Sequence, residues 1–146
     1  MTLVAFDFDG TLADSEMMDC LAARHGVGAE VADITDRAMR GELSYAESLR
    51  ERASLVAGLS SEDAADVYAD VRLRDGAGDL LGRLTDSGVR VVVLTGGFAP
   101  GVEAALDAAG VSVDRVVANS LPEADGELTG DVEGPLIEGT KDDALA

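Results

Sequence analysis

Residues 3–15 read LVAFDFDGTLADS: an apolar run, then carboxylates at alternate positions, then a polar turn containing glycine. The apolar run predicts a buried central strand over residues 3–8. Side chains alternate along a strand, so Asp7 and Asp9 share one side while Phe6 and Phe8 take the other. Gly10 and Thr11 end the strand. Two carboxylates at a strand's C-terminal end are costly to bury unless something compensates them. A divalent cation does so, and ligands normally sit at the C-terminal edge of a parallel sheet.

Working outward, residues 14–57 turn helical. Met17, Met18, Leu21 and Ala22 share a face, with Asp14 or Ser15 as the expected cap. Residues 26–29 break the pattern, residues 30–40 resume it, and Gly41 stops it. Residues 44–56 predict a third helix with Ser44 as N-cap and Glu47 in the capping-box position. Residues 60–73 predict a fourth, capped by Ser60 or Ser61. Beyond a crossover at 74–78, a helix is expected to about Ser87. VRVVVL (89–94) is then a second buried strand, stopping at Thr95-Gly96-Gly97. A helix over 98–109, a short strand over 113–118 and a hairpin turning at Asp125-Gly126 follow. Strand, helix, strand, helix, strand is the pattern of an α/β fold with a Rossmann-like parallel sheet. The expected division is a core of residues 1–14 and 75–146 with a small helical cap, 15–74, inserted after the first strand.

The 146 residues carry 29 acidic and 11 basic side chains, a net charge of −18. That argues against nucleic acid and anionic membranes as partners, since both need basic patches. The acids are scattered, which suits a strongly solvated surface in a salt-rich cytoplasm. Ten of the eleven basic residues are Arg, and Lys141 is the only Lys. A single Cys, Cys20, excludes an intrachain disulfide. The N-terminus has no basic region before its apolar run, and that run carries Asp7 and Asp9, so neither a secretory signal nor a membrane span is expected. Cys20 and His25 read as structural, the first as a small buried thiol and the second as a helix-end residue.

Three features carry chemistry. In the first, Asp7 attacks phosphorus and forms an aspartyl-phosphate, while Asp9 protonates the leaving oxygen and then deprotonates the hydrolytic water. Mg²⁺ would hold Asp7 beside a phosphate oxygen. The competing reading is a metal-binding or turn-capping pair without turnover. In the second, Thr95-Gly96-Gly97 offers a hydroxyl and backbone amides to a phosphate, against a turn that merely needs glycine. In the third, Lys141 can neutralise phosphate charge, against chance at a polar helix start. A calcium-binding loop is not supported, because no twelve-residue segment has the required acid spacing.

DFDGTLADSE (7–16) resembles the first motif of the haloacid dehalogenase superfamily of phosphatases, and VVVLTGG (91–97) resembles its second. Lys141 falls where the third-motif lysine would be. ITDRAMRGELSYAESLRERASLVAGL (34–59), GFAPGVEAALDAAGV (97–111) and ANSLPEADGELTGDVEGPL (118–136) are similar to the cap, a core helix and the hairpin of its phosphoserine-phosphatase branch. The resemblance implies hydrolysis of O-phospho-L-serine with Mg²⁺, in serine biosynthesis. Asp7 and Asp9 would be catalytic and metal-binding, Asp9 through its backbone carbonyl. Thr95, Gly96 and Lys141 would bind phosphate. Glu16 would take the substrate ammonium and Arg52 its carboxylate, with Met39 and Tyr45 shaping the apolar side. Gly10 stands where this branch often has Ser, and Tyr45 where it often has Phe. The fourth motif, G-D-G-x-N-D, is expected beyond residue 146 together with a third protein ligand to the metal. On that expectation the core lacks its C-terminal part, a long sheet edge stays open for self-association, and turnover is impaired. Two other readings are a related phosphatase for another small phosphate ester and a non-catalytic fragment that binds Mg²⁺ or phosphate.

Overall fold

The computed structural model describes residues 2–138. Three parallel strands form the sheet: β1 (Leu3–Phe6), β2 (Arg90–Phe98) and β3 (Arg115–Asn119), in the order β1-β2-β3. Leu3 pairs with Arg90 and Phe6 with Val93 on one side of β2, and Val92 pairs with Arg115 on the other. The centre of the sheet is therefore β2, whose residues 91–95 are all buried. Among the described residues β1 is therefore neither central nor fully buried, which corrects the buried central strand and agrees with the expected open edge. β1 has one strand neighbour among the described residues, and its burial alternates, with Leu3 49% exposed.

Four helices lie between β1 and the second half of the core: α1 (Met17–His25), α2 (Gly28–Met39), α3 (Tyr45–Leu55) and α4 (Ser61–Ala69). The cap of α1 differs from expectation. Glu16 holds the N-cap position and its own side chain makes no capping hydrogen bond. The capping box of α3 forms as read, with Ser44 and Glu47 exchanging hydrogen bonds of 3.1 Å each way. Ser60 caps α4 by accepting from the Asp63 amide. Arg24 of α1 reaches Asp63 at 2.7 Å and Asp66 at 3.2 Å, fastening α1 to α4.

The chain returns to the core through residues 70–76, where the Arg74 amide donates to the Leu12 carbonyl at 2.6 Å. α5 (Ala77–Asp86) leads into β2, and α6 (Ala99–Ala109) leads from β2 to β3. β2 runs further than expected: its pairing with β3 shifts register after Leu94 and resumes with Phe98 opposite Asn119. The hairpin of β4 (Glu123–Ala124) and β5 (Glu127–Leu128) turns at Asp125 (φ +54°) and Gly126 (φ +80°), the two left-handed residues a tight hairpin turn requires. It also braces the inserted helices, because Gly58 and Ser61 donate to the Leu128 and Gly126 carbonyls and Leu128 donates back to Leu59. α7 (Pro135–Glu138) is the last described element.

One apolar cluster runs through both parts. It joins Phe8, Val91, Val93, Phe98 and Val102 of the core to Met17, Leu21, Val31, Leu49 and Val67 of the inserted helices. Burying this shared surface, at about 25 cal/mol per Å² of apolar area, holds the helices over the C-terminal ends of β1 and β2. No helix among the described residues is long and apolar enough to cross a membrane.

Candidate active site

A pocket of about 260 Å³ opens where β1 and β2 end under α1 and α3. β1 stops at Phe6, and the next residues form one wide turn, Phe8–Leu12, closed by the Ala13 amide on the Phe8 carbonyl at 3.0 Å. Gly10 allows it by adopting φ +74°. Phe8 is buried beneath, and Asp7 and Asp9 both line the pocket. Thr11 Oγ1 lies 3.4 Å from Asp7 Oδ2.

Asp9 is the most perturbed carboxylate. Burial raises its pKa to about 7, and the neighbouring Glu16 and Asp7 add to the rise. The Met17 amide, at the N-terminus of α1, donates to Asp9 and opposes it. At neutral pH Asp9 therefore shares its time between acid and base, as a group that gives and retrieves one proton must. Its Oδ1 is buried with no hydrogen-bond partner. Glu16 sits at the rim, its carboxyl raised by burial and then by Asp19 and Asp7, with Arg52 pulling the other way.

Across the pocket, Thr95 is fully buried and accepts the Gly97 amide on Oγ1 at 2.9 Å. Neither Gly96 nor Gly97 has a left-handed φ, so backbone conformation does not require glycine here. Close approach does. A Cβ on Gly97 would come within 2.7 Å of Asp9 Oδ2, and one on Gly96 would overlap the Tyr45 hydroxyl. The two glycines thus let an acid from the turn after β1 and a phenol from α3 close onto one loop. α3 supplies Tyr45, Leu49 and Arg52 to the lining, one helical face at spacings of four and three.

The structure thus brings Asp7, Asp9, Glu16, Tyr45, Arg52, Thr95 and Gly96 together. Met39 is not among them. It ends α2 with 82% of its surface exposed and does not line the pocket. Lys141 lies outside the described residues.

Two residues escaped the sequence reading. Asn119, with no exposed surface, donates from Nδ2 to the Gly96 carbonyl at 3.3 Å and accepts the Leu136 amide at 3.3 Å. It fastens the Thr95-Gly96-Gly97 loop to the start of α7. Its signal was a polar side chain closing the apolar run VVA. The Arg74 guanidinium donates to the Gly10 carbonyl at 3.4 Å, and nothing in the crossover sequence distinguished it.

The donor set suits a small hard cation. Asp7 and Asp9 offer oxygen donors to the pocket, and Asp9 keeps a buried oxygen unpaired. No group of three His, Cys, Asp or Glu stands ready to hold a metal among the described residues. Mg²⁺ needs no such group, because it retains waters and is commonly bound by one or two carboxylates plus substrate phosphate.

The family model for haloacid dehalogenase-like hydrolases matches residues 4–146. A phosphoserine phosphatase of Halobacterium salinarum is 77% identical over 145 residues, covering 99% of this chain and 69% of that protein. A solved phosphoserine phosphatase described as a phospho-aspartyl intermediate analogue superposes with a TM-score of 0.83 at 38% identity. A substrate-bound phosphoserine phosphatase complex does so equally, and each match covers 93% of this chain and 64% of the solved one. The chain thus spans about two thirds of the length of these relatives. Fold, paired aspartates and relatives agree: the chain belongs to the haloacid dehalogenase-like hydrolase family, in its phosphoserine phosphatase branch.

Proposed function

We propose that this site hydrolyses O-phospho-L-serine to serine and phosphate through an aspartyl-phosphate. The observation that carries the reading is the placement of Asp7 and Asp9 against the Thr95-Gly96-Gly97 loop, with Glu16 and Arg52 lining the same pocket. Asp7 attacks phosphorus while Asp9 protonates the departing serine oxygen, so one P–O bond forms as another breaks. Asp9 then takes a proton from water, the water attacks phosphorus, and the Asp7–phosphorus bond breaks. The raised pKa of Asp9 serves both steps.

Thr95 and Gly96 seat the phosphoryl group, and Lys141 completes that role in this reading. Glu16 takes the ammonium and Arg52 the carboxylate, so the amino-acid part is read by one anion and one cation. Leu49 and the Tyr45 ring form the apolar side, and Met39 reaches it only if the end of α2 moves inward. Residues 15–74 act as the cap and residues 1–14 and 75–146 as the core.

Phosphatases of this family generally depend on a divalent metal, and Mg²⁺ fits the oxygen donors here. Asp7 and the Asp9 carbonyl would hold it. When bound, it neutralises charge between Asp7 and the phosphoryl oxygens. We place the activity in the cytoplasm, in keeping with the acidic composition and the single Cys, exposed and free.

The test is phosphate release at high salt with Mg²⁺ from phosphoserine, its methyl ester and its N-acetyl form. Phosphoserine is expected to be hydrolysed best, and Asp7→Asn to lose on the order of 10⁴-fold or more. Equal rates on all three esters, or an active Asp7→Asn chain, would overturn the reading.

A further inference from the structure

Besides Asp9 Oδ1, a second polar atom in the pocket has no hydrogen-bond partner among the described residues: the Tyr45 hydroxyl. Tyr45 is the first residue of α3, placed there by the Ser44–Glu47 capping box. Half the residue is exposed, yet its phenolic end lies against Gly96, where an added Cβ would overlap it. No described residue hydrogen-bonds to that hydroxyl. A ring alone would shape the wall, whereas this oxygen stands over the loop that the phosphoryl group must approach. The other side chains here are Asp7 and Asp9, which repel an oxyanion, and Thr95, whose oxygen already accepts the Gly97 amide. The Thr95 hydroxyl still has one proton to give, and the Tyr45 hydroxyl is a second neutral donor, facing the loop from the helix side.

We propose that the Tyr45 hydroxyl is a phosphate-binding group, donating a hydrogen bond to a non-bridging phosphoryl oxygen seated over Gly96. This rests on reading the pocket as a phosphate site, and not on which ester is cleaved. Desolvation against the loop, with Asp9, Asp7 and Glu16 nearby, raises the phenol's pKa despite the opposing pull of Arg52, so the hydroxyl keeps its proton at neutral pH. Because Tyr45 belongs to α3, the hydrogen bond also draws the inserted helices onto the phosphate. Arg52, seven residues along the same face, stays free to read the rest of the substrate.

The experiment is calorimetric titration of the wild-type chain and Tyr45→Phe, at high salt with Mg²⁺, using inorganic phosphate and, separately, L-serine. Tyr45→Phe is isosteric at a half-exposed position, and an unchanged thermal melt is expected. Phosphate affinity should fall ~10-fold, the loss expected for one hydrogen bond to a charged group. Serine affinity should stay within about twofold. The proposal is overturned if phosphate affinity is unchanged, if serine affinity falls as far, or if the wild-type chain binds no phosphate. A wild-type chain that fails to cleave phosphoserine, paired with a Tyr45→Phe chain that loses phosphate affinity, would sink the substrate reading and leave the tyrosine's role standing.

Discussion

The two walls of the pocket are built differently. The sheet wall holds Asp7 and Asp9 just past the end of β1 and Thr95 on β2, with Phe8 and Phe98 buried, and Asp9 carries a buried unpaired oxygen. The helix wall presents Tyr45 and Arg52 from one face of α3, with Tyr45 half exposed. Groups that make and break bonds gain from burial, because desolvation tunes their proton affinity. Groups that recognise a polar substrate must remain reachable. The comparison teaches that mutations on the sheet wall should strike turnover, and mutations on the helix wall should strike affinity.

The hardest blow to that contrast comes from Gly97→Ala. The new methyl would sit 2.7 Å from Asp9 Oδ2 and 3.0 Å from Met17 Cε, the far ends of two flexible side chains. The backbone accepts alanine, so the fold survives while Asp9 is pushed aside. We expect kcat for phosphoserine to fall ~10²–10³-fold, approaching the loss in Asp9→Asn. The thermal melt should move little. A Gly97→Ala chain with near-normal kcat would show that Asp9's position is not set by close approach to this loop.

Arg52→Leu tests the opposite wall. Arg52 contributes to the pocket lining, and its Nε donates only within α3, to the Ser48 carbonyl at 3.3 Å. The expected outcome in steady-state kinetics is a KM for phosphoserine raised ~10- to 30-fold with kcat within a few-fold of wild type. Binding of inorganic phosphate should be unaffected. A drop in kcat with KM unchanged would assign Arg52 to the transition state and erase the division between the walls.

These walls were unequally legible in the sequence. The sheet wall could be read because the acid pair and its glycine are neighbours in FDFDGT, although β1 ends at Phe6 and it is the turn after it, not strand alternation, that places Asp9. The capping box of α3 was local too, and it formed as read. The strand burial misread had a tertiary cause. LVAF and VVVL are similarly apolar, and only the sheet order makes the second central and the first an edge among the described residues. The glycines at 96 and 97 looked like turn formers, yet their reason is a pair of side chains arriving from residues 9 and 45. Asn119 was silent because its partners are Gly96 and Leu136, neither a sequence neighbour. Met39 lay furthest from the reading, since the direction taken by the end of α2 is set by packing that no local pattern records.

The smallest effect, and the one that separates burial from chemistry, is on stability. Asp9's pKa is raised from 3.8 to about 7, chiefly by burial, so the folded chain prefers it protonated. A raised carboxyl favours the folded state below its unfolded pKa, and that advantage is lost as pH rises through the folded value. Without metal, the wild-type chain should therefore lose stability between about pH 4 and pH 7. Glu16, raised in the same direction, adds to the slope. Many other acids titrate nearby in pH, so the informative quantity is the difference from Asp9→Asn at high salt, where surface charge is screened. Asn keeps the shape without the buried charge. Its melting temperature relative to wild type should climb from about pH 4 to pH 7 by ~3 °C for each ~1 kcal/mol of relieved desolvation. Added Mg²⁺ should shrink that difference by stabilising the ionised wild-type carboxylate. If the two melts stay parallel in metal-free buffer, burial is not what tunes Asp9. The difference between the walls would then lie in geometry alone.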